Sequence, residues 1–226
     1  MSAGKGRRNL SVGLFLDLST IGLILWNVWE YCRKLTKSDD KAPELATWLL
    51  FATGTSLSLA TYFRFAETIS PLRSALNSAD VVGTSIIAIA VITYNRRHPW
   101  LKDDACVEEG QKRAEVADRY IRAACFVAAA VVALYWLKTN DHRRANIAAQ
   151  LIITAAWVPT LRRLFRMRRN SEPIKAWMIN DVASLLGFAS GWLRNDWPVM
   201  IYTGRSFVMI SILLTFTAIF ERQAKK

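Results

Sequence analysis

The sequence predicts an all-α membrane protein of seven transmembrane helices, built as two parallel three-helix repeats joined by a linker helix. Three observations carry that expectation. Seven apolar stretches run along the 226 residues, at 12–31, 45–65, 71–94, 120–137, 145–165, 174–193 and 198–220. Each holds about 18–25 residues, enough at 1.5 Å per residue to cross a hydrocarbon core of about 30 Å. The sixth stretch also aligns without a gap on the second, AWMINDVASLLGFASGW on TWLLFATGTSLSLATYF, with Trp48/Trp177, Leu57/Leu186 and Ala60/Ala189 identical. Each member of that pair stands second in a run of three, and a single odd helix between the runs gives both triplets the same orientation.

Taken in order, a short basic tail with Lys5, Arg7 and Arg8 precedes the first stretch. That stretch reads as a retained helix rather than a cleaved signal peptide, because it lacks a small-residue cleavage site and Trp, Asn and Glu follow its apolar core. The second, with Thr53, Gly54, Thr55, Ser56 and Ser58, has the small, hydroxylated character of a close helix contact or a wet pore wall. The third carries Asn77 and Asp80, and a hydrophilic loop at 95–119 with six acids and six bases follows it. After the fourth stretch, the fifth holds Pro159, which removes a backbone hydrogen bond and kinks a helix. The sixth contains Asn180-Asp181, and the seventh contains Thr203 and Arg205. The organisation expected is a first repeat over 1–97, a charged loop and linker helix over 98–142, and a second repeat over 143–226.

The net charge of +12 is distributed as a topology signal. With seven spans, the loops on the C-terminal side hold twenty Lys and Arg, and those on the N-terminal side hold nine. Basic loops stay in the cytoplasm, so the expected orientation is N-terminus outside and C-terminus inside, in a plasma (inner) membrane. The surplus charge then attracts anionic headgroups of the lipid bilayer rather than nucleic acid. Cys32, Cys106 and Cys125 are scattered, and His98 and His142 lie in loops, so no metal site is expected. With no phosphate-binding loop, nucleophile elbow or clustered acid–base set, no catalytic residue, no enzyme activity and no cofactor are expected.

TAAWVPTLRRLFRMRRNSEPIKAW resembles the PQ-loop pattern: a helix with a late Pro, a basic turn, a Ser-containing loop, then an apolar helix opening with an aromatic residue. SGWLRNDWPVMIYTG likewise resembles the Gly, basic–Asp and Pro progression between the last two helices of SWEET sugar transporters. The likeness covers 154–204 and extends to the first half through the repeat. Three departures stand out. Thr160 replaces the Gln of the Pro-Gln pair, Leu25 stands where the first repeat would carry its proline, and the family's pocket Asn maps either to Asn77 and Thr203 or to Asp80 and Arg205.

The resemblance implies a solute path between the triplets, with Pro159 as its hinge. Asp181, an intramembrane carboxylate, binds a proton or cation or pairs near the cytoplasmic face. Asp80 and Arg205, both early in a third-in-triplet helix, face each other across the pore, or Arg205 snorkels outward. Trp48 and Trp177 open their helices and read as interfacial belt residues, as do most other tryptophans, while Trp192 is a candidate for stacking on a solute. The function expected is transport of a small polar solute, with substrate-binding or gating residues Asn77, Asp80, Asp181, Trp192, Thr203 and Arg205; a homo-oligomer is compatible with the pattern. A receptor or adaptor, or a structural assembly protein on the same fold, is the alternative, and the charge-mixed loop at 95–119 is its supporting feature.

Overall fold

The computed structural model describes residues 3–37, 45–65, 71–97, 109–168 and 173–224. These form helices α1 (Ala3–Lys37), α2 (Leu45–Phe65), α3 (Pro71–Arg97), α4 (Glu109–Thr139), α5 (His142–Ala155), α6 (Trp157–Met167), α7 (Ile174–Leu193) and α8 (Trp197–Ala224). The architecture is all-α. Residues 98–108 of the charge-mixed loop that would favour a receptor, His98 and Cys106 among them, lie outside the described residues.

One expected helix is in two pieces. α5 and α6 meet at Ala156, where the ladder breaks, three residues before the buried Pro159. A proline nitrogen has no hydrogen to donate to the carbonyl four residues back, and its ring crowds that carbonyl. Here that carbonyl belongs to Ala155, the last residue of α5.

Among the described residues, three helices are long and apolar enough by themselves to cross a membrane: Ser11–Leu35, Ala75–Arg97 and Trp197–Gln223. α2 and α7, at 21 and 20 residues, have the length, but their hydroxyls, Trp and Asn180-Asp181 dilute the apolar signal. Large apolar side chains nevertheless face outward all round the bundle, among them Phe15, Trp29, Ile89, Val131, Leu151, Val182 and Val208. An apolar exterior of this extent needs a membrane or partner to cover it.

The helices close into a ring. α1 packs on α3 and α7, α3 also on α2, α2 also on α5, and α7 on α8, while α5 and α6 touch α8. α4 stands outside the ring, resting mainly on α5. Close approach depends on small residues: a Cβ on Gly54 of α2 would lie 2.3 Å from Ile153 Cγ1 of α5.

Two of the described connections are tight turns. Asn140 (φ 56°) turns the chain from α4 to α5, and Asp141 caps α5 by accepting from the Arg144 amide at 3.0 Å. Asn195 (φ 54°) does the same between α7 and α8, where the Asp196 amide donates back to the Gly191 carbonyl at 2.9 Å. Asn tolerates the left-handed conformation better than most residues, which explains its use at both turns.

Candidate functional site

A cavity of about 60 Å³ lies at the centre of the ring. By the space one water needs, it has room for a few. α1, α2, α3, α7 and α8 line it, with single residues from α5 and α6, and none of its lining comes from α4.

One end of the cavity is aromatic. Trp48 and Trp177 stack with ring centroids 5.6 Å apart and planes 21° from parallel. Trp48 Nε1 donates to Tyr31 Oη at 2.8 Å, and Trp157 leans on Trp177 at 4.9 Å. Phe51 meets both Trp48 and Trp157 edge-on. Trp48, Trp157 and Trp177 are only 3–4 % exposed, so the expectation that they belong to an interfacial belt is corrected. Helix ends are ambiguous in sequence, because a Trp near one can point out to headgroups or in to the bundle axis. Trp26, Trp29 and Trp197, exposed by 50 %, 66 % and 65 %, do face outward.

The other end is charged. Asp80 of α3 and Arg205 of α8 both line the cavity and attract one another across it. They do not close into an ion pair. Arg205 donates from Nη2 to its neighbour Ser206 at 3.1 Å and lies over the Tyr202 ring at 5.3 Å. Its Nε and Nη1 atoms are buried and have no hydrogen-bond partner among the described residues. The guanidinium therefore does not snorkel outward, and it retains donors. Trp177 Nε1, at the aromatic end, is a further buried donor with no partner.

Between these ends the wall is hydroxylated. Thr55 and Thr84 hydroxyls meet at 3.1 Å, and Thr203 lines the wall while donating to the Val199 carbonyl of its own helix at 2.7 Å. Of the α2 hydroxyls, Thr55 faces the cavity, and Ser58 accepts from Asn146 and Gln150 of α5. Thr53 and Ser56 face outward.

The expected residues thus separate. Asp80, Thr203 and Arg205 come together at the cavity. Asn77 is partly buried near the start of α3 and is not among the lining residues, whereas Leu76 and Asp80 are. Asp181 turns away from the cavity and accepts from Ser211 of α8 at 3.3 Å, while its neighbour Asn180 points in. Trp192 is 63 % exposed at the end of α7. Pro159 is buried just beyond the α5–α6 break.

Two ends of the α1–α7 contact carry ion pairs that sequence reasoning did not join. Arg194 Nη1 lies 2.6 Å from Asp17 Oδ2, and Ser190 donates to Asp17 Oδ1 at 2.5 Å. Gly13 makes room, since a Cβ there would lie 2.6 Å from Arg194 Nε. At the other end, Glu30 pairs with Arg33 at 2.7 Å and with Lys175 of α7 at 3.7 Å. Asp17 and Glu30 are ionisable groups within the first apolar stretch, and nothing in the sequence names their partners.

The fold has a counterpart among solved structures. A eukaryotic SWEET transporter solved at 3.7 Å resolution superposes with a TM-score of 0.52, covering 95 % of this chain and 97 % of that one at 13 % identity. The fold is that of a SWEET transporter. No family model and no curated protein sequence matches the chain.

Proposed function

We propose that the chain is a membrane transporter that passes a small polar solute through the cavity between two three-helix bundles. The single observation that carries this reading is a central cavity into which Asp80, Arg205 and several hydroxyls project, lined by every helix of the ring and by no described residue of α4. A closed structural bundle would fill its centre with apolar side chains, because unmatched buried polar groups cost stability. Here Asp80, Arg205 and several hydroxyls converge there instead.

In this reading α1–α3 and α5–α8 are parallel repeats about an axis along the membrane normal, with seven spans once α5 and α6 count as one. The stacking of Trp48 on Trp177 supports it, since these two positions are matched in the internal alignment and counterparts touch only beside the axis. The α1–α7 and α2–α5 contacts are then the two equivalent seams between bundles. The break at Ala156 is the flexing point set by Pro159, and the basic loops hold the C-terminus in the cytoplasm. Asp80, Arg205 and Thr203 contact solute, and Asp181, outside the cavity, acts on the α7–α8 contact through Ser211. Asn77 and Trp192 lie toward the ends of α3 and α7, where they would meet solute at entry rather than hold it.

Osmotic swelling of proteoliposomes tests the proposal. Vesicles holding the protein should swell in small polar solutes faster than empty vesicles, and filling the cavity with Ser206→Trp should abolish the difference. Swelling no faster than in empty vesicles across the panel would favour a receptor or assembly protein on the same fold.

A further inference from the structure

The cavity presents two opposite charges that do not neutralise each other by contact. Asp80 enters from α3 and Arg205 from α8, both in the first half of their helices. The Asp80 carboxylate accepts no hydrogen bond from the described residues, although its helix neighbour Thr84 bonds the backbone carbonyl of the same residue at 2.9 Å. Arg205 is held in place by Ser206 and Tyr202, leaving Nε and Nη1 without partners. A buried ionic group is stable only when its charge and donors are matched. The cavity therefore offers an acceptor and donors that suit a group complementary to both charges at once.

We infer that the solute is a small zwitterion, an ammonium and a carboxylate on one compact molecule, with its ammonium on Asp80 and its carboxylate on Arg205. The inference rests on the transport reading above. A simple anion would be bound by Arg205 but repelled by Asp80, and a simple cation the reverse. A neutral polyol would leave both charges facing uncharged groups. A zwitterion matches both, adds no net charge to the cavity, and offers the carboxylate geometry that a guanidinium donor fits best. The volume of about 60 Å³ limits it to a small member of the class. The indoles of Trp48 and Trp177 at the far end would meet a short apolar side chain with apolar surface.

The test is ligand-induced thermal stabilisation of the detergent-solubilised full chain, since a ligand that binds only the folded state raises apparent stability with concentration. The probes are glycine, L-alanine, propionate (carboxylate only), L-alanine methyl ester (ammonium only) and D-glucose. Glycine or L-alanine should stabilise, and both singly charged analogues should need at least about tenfold higher concentration, the factor set by losing one charged contact. Asp80→Asn should erase the preference for L-alanine over propionate. Arg205→Gln should erase the preference for L-alanine over its methyl ester, and Asp80→Glu and Arg205→Lys should retain more of each preference.

The wild-type comparison needs no variant to fold. Stabilisation by D-glucose but not by the amino acids would overturn the zwitterion and leave the transport reading standing. Failure of every probe would also overturn it. In that case alkylation of Ser206→Cys by a soluble thiol reagent separates the two claims: a reactive thiol keeps a solvent-reached cavity, and an inert one removes the transport reading as well.

Discussion

Trp48 on α2 and Trp177 on α7 stack on each other at 5.6 Å, and Trp48 alone of the two uses its indole N–H, donating to Tyr31. This asymmetry separates what the two rings contribute. Trp177→Phe keeps an aromatic face and discards an N–H that has no partner. Trp48→Phe also discards a hydrogen bond of about 1 kcal/mol. Denaturation in micelles should therefore show Trp48→Phe to be the more damaging by about that amount, with either Trp→Ala change costing about 3–5 kcal/mol. Equal losses for the two Phe variants would mean that the Tyr31 bond adds nothing.

The ion pair between Asp17 and Arg194 is buried from solvent on both sides, at 7 % and 16 % side-chain exposure. Asp17→Ala strands a guanidinium and should cost about 3–5 kcal/mol, whereas removing both partners should recover a large part of that loss. A double-mutant cycle on thermal stability checks it. Strict additivity would show that the pair is not coupled.

Gly54 sets the distance between α2 and α5. Gly54→Ala forces a methyl into Ile153 and should destabilise by about 1–3 kcal/mol, the usual cost of overpacking. Ile153→Ala in the same molecule should relieve the clash and make the double variant more stable than the sum of the two single effects.

Pro159→Ala restores a donor opposite the Ala155 carbonyl. It should stabilise the α5–α6 helix by about 1 kcal/mol and, if the break flexes during transport, slow vesicle swelling in the same preparation. Higher stability with unchanged swelling would make the break static.

Much of the architecture was legible because apolar length and Pro placement act locally. Six of the seven expected stretches coincide with one helix each, and the fifth divides where Pro159 dictates. α4 begins at Glu109, well ahead of its apolar stretch, since charged residues that form good helix extend it beyond the hydrophobic part. The site was legible in part for a different reason. Ionisable residues inside a span are conspicuous, which singles out Asp80 and Arg205, and both line the cavity. Which way a Trp near a helix end points depends on helix rotation, which an apolar sequence encodes weakly, and this hid the Trp48–Trp177 stack. Pairings across distant helices, such as Asp17 with Arg194, depend on tertiary register and leave no local trace.

The two seams of the ring are fastened by different chemistry. α1 and α7 are joined through Asp17–Arg194 and Glu30–Lys175, whereas α2 meets α5 and α6 through neutral amides and hydroxyls, Gln150 to Ser58 at 2.8 Å and Thr47 with Thr160 at 3.1 Å. Dissolved ions and an electric field act on the first fastening and barely touch the second. The exposed Lys175 contact is the one that screening weakens first. Rising ionic strength should then loosen the α1–α7 contact while the α2–α5 contact keeps its length, so that the ring opens like a book whose spine is the α2–α5 line.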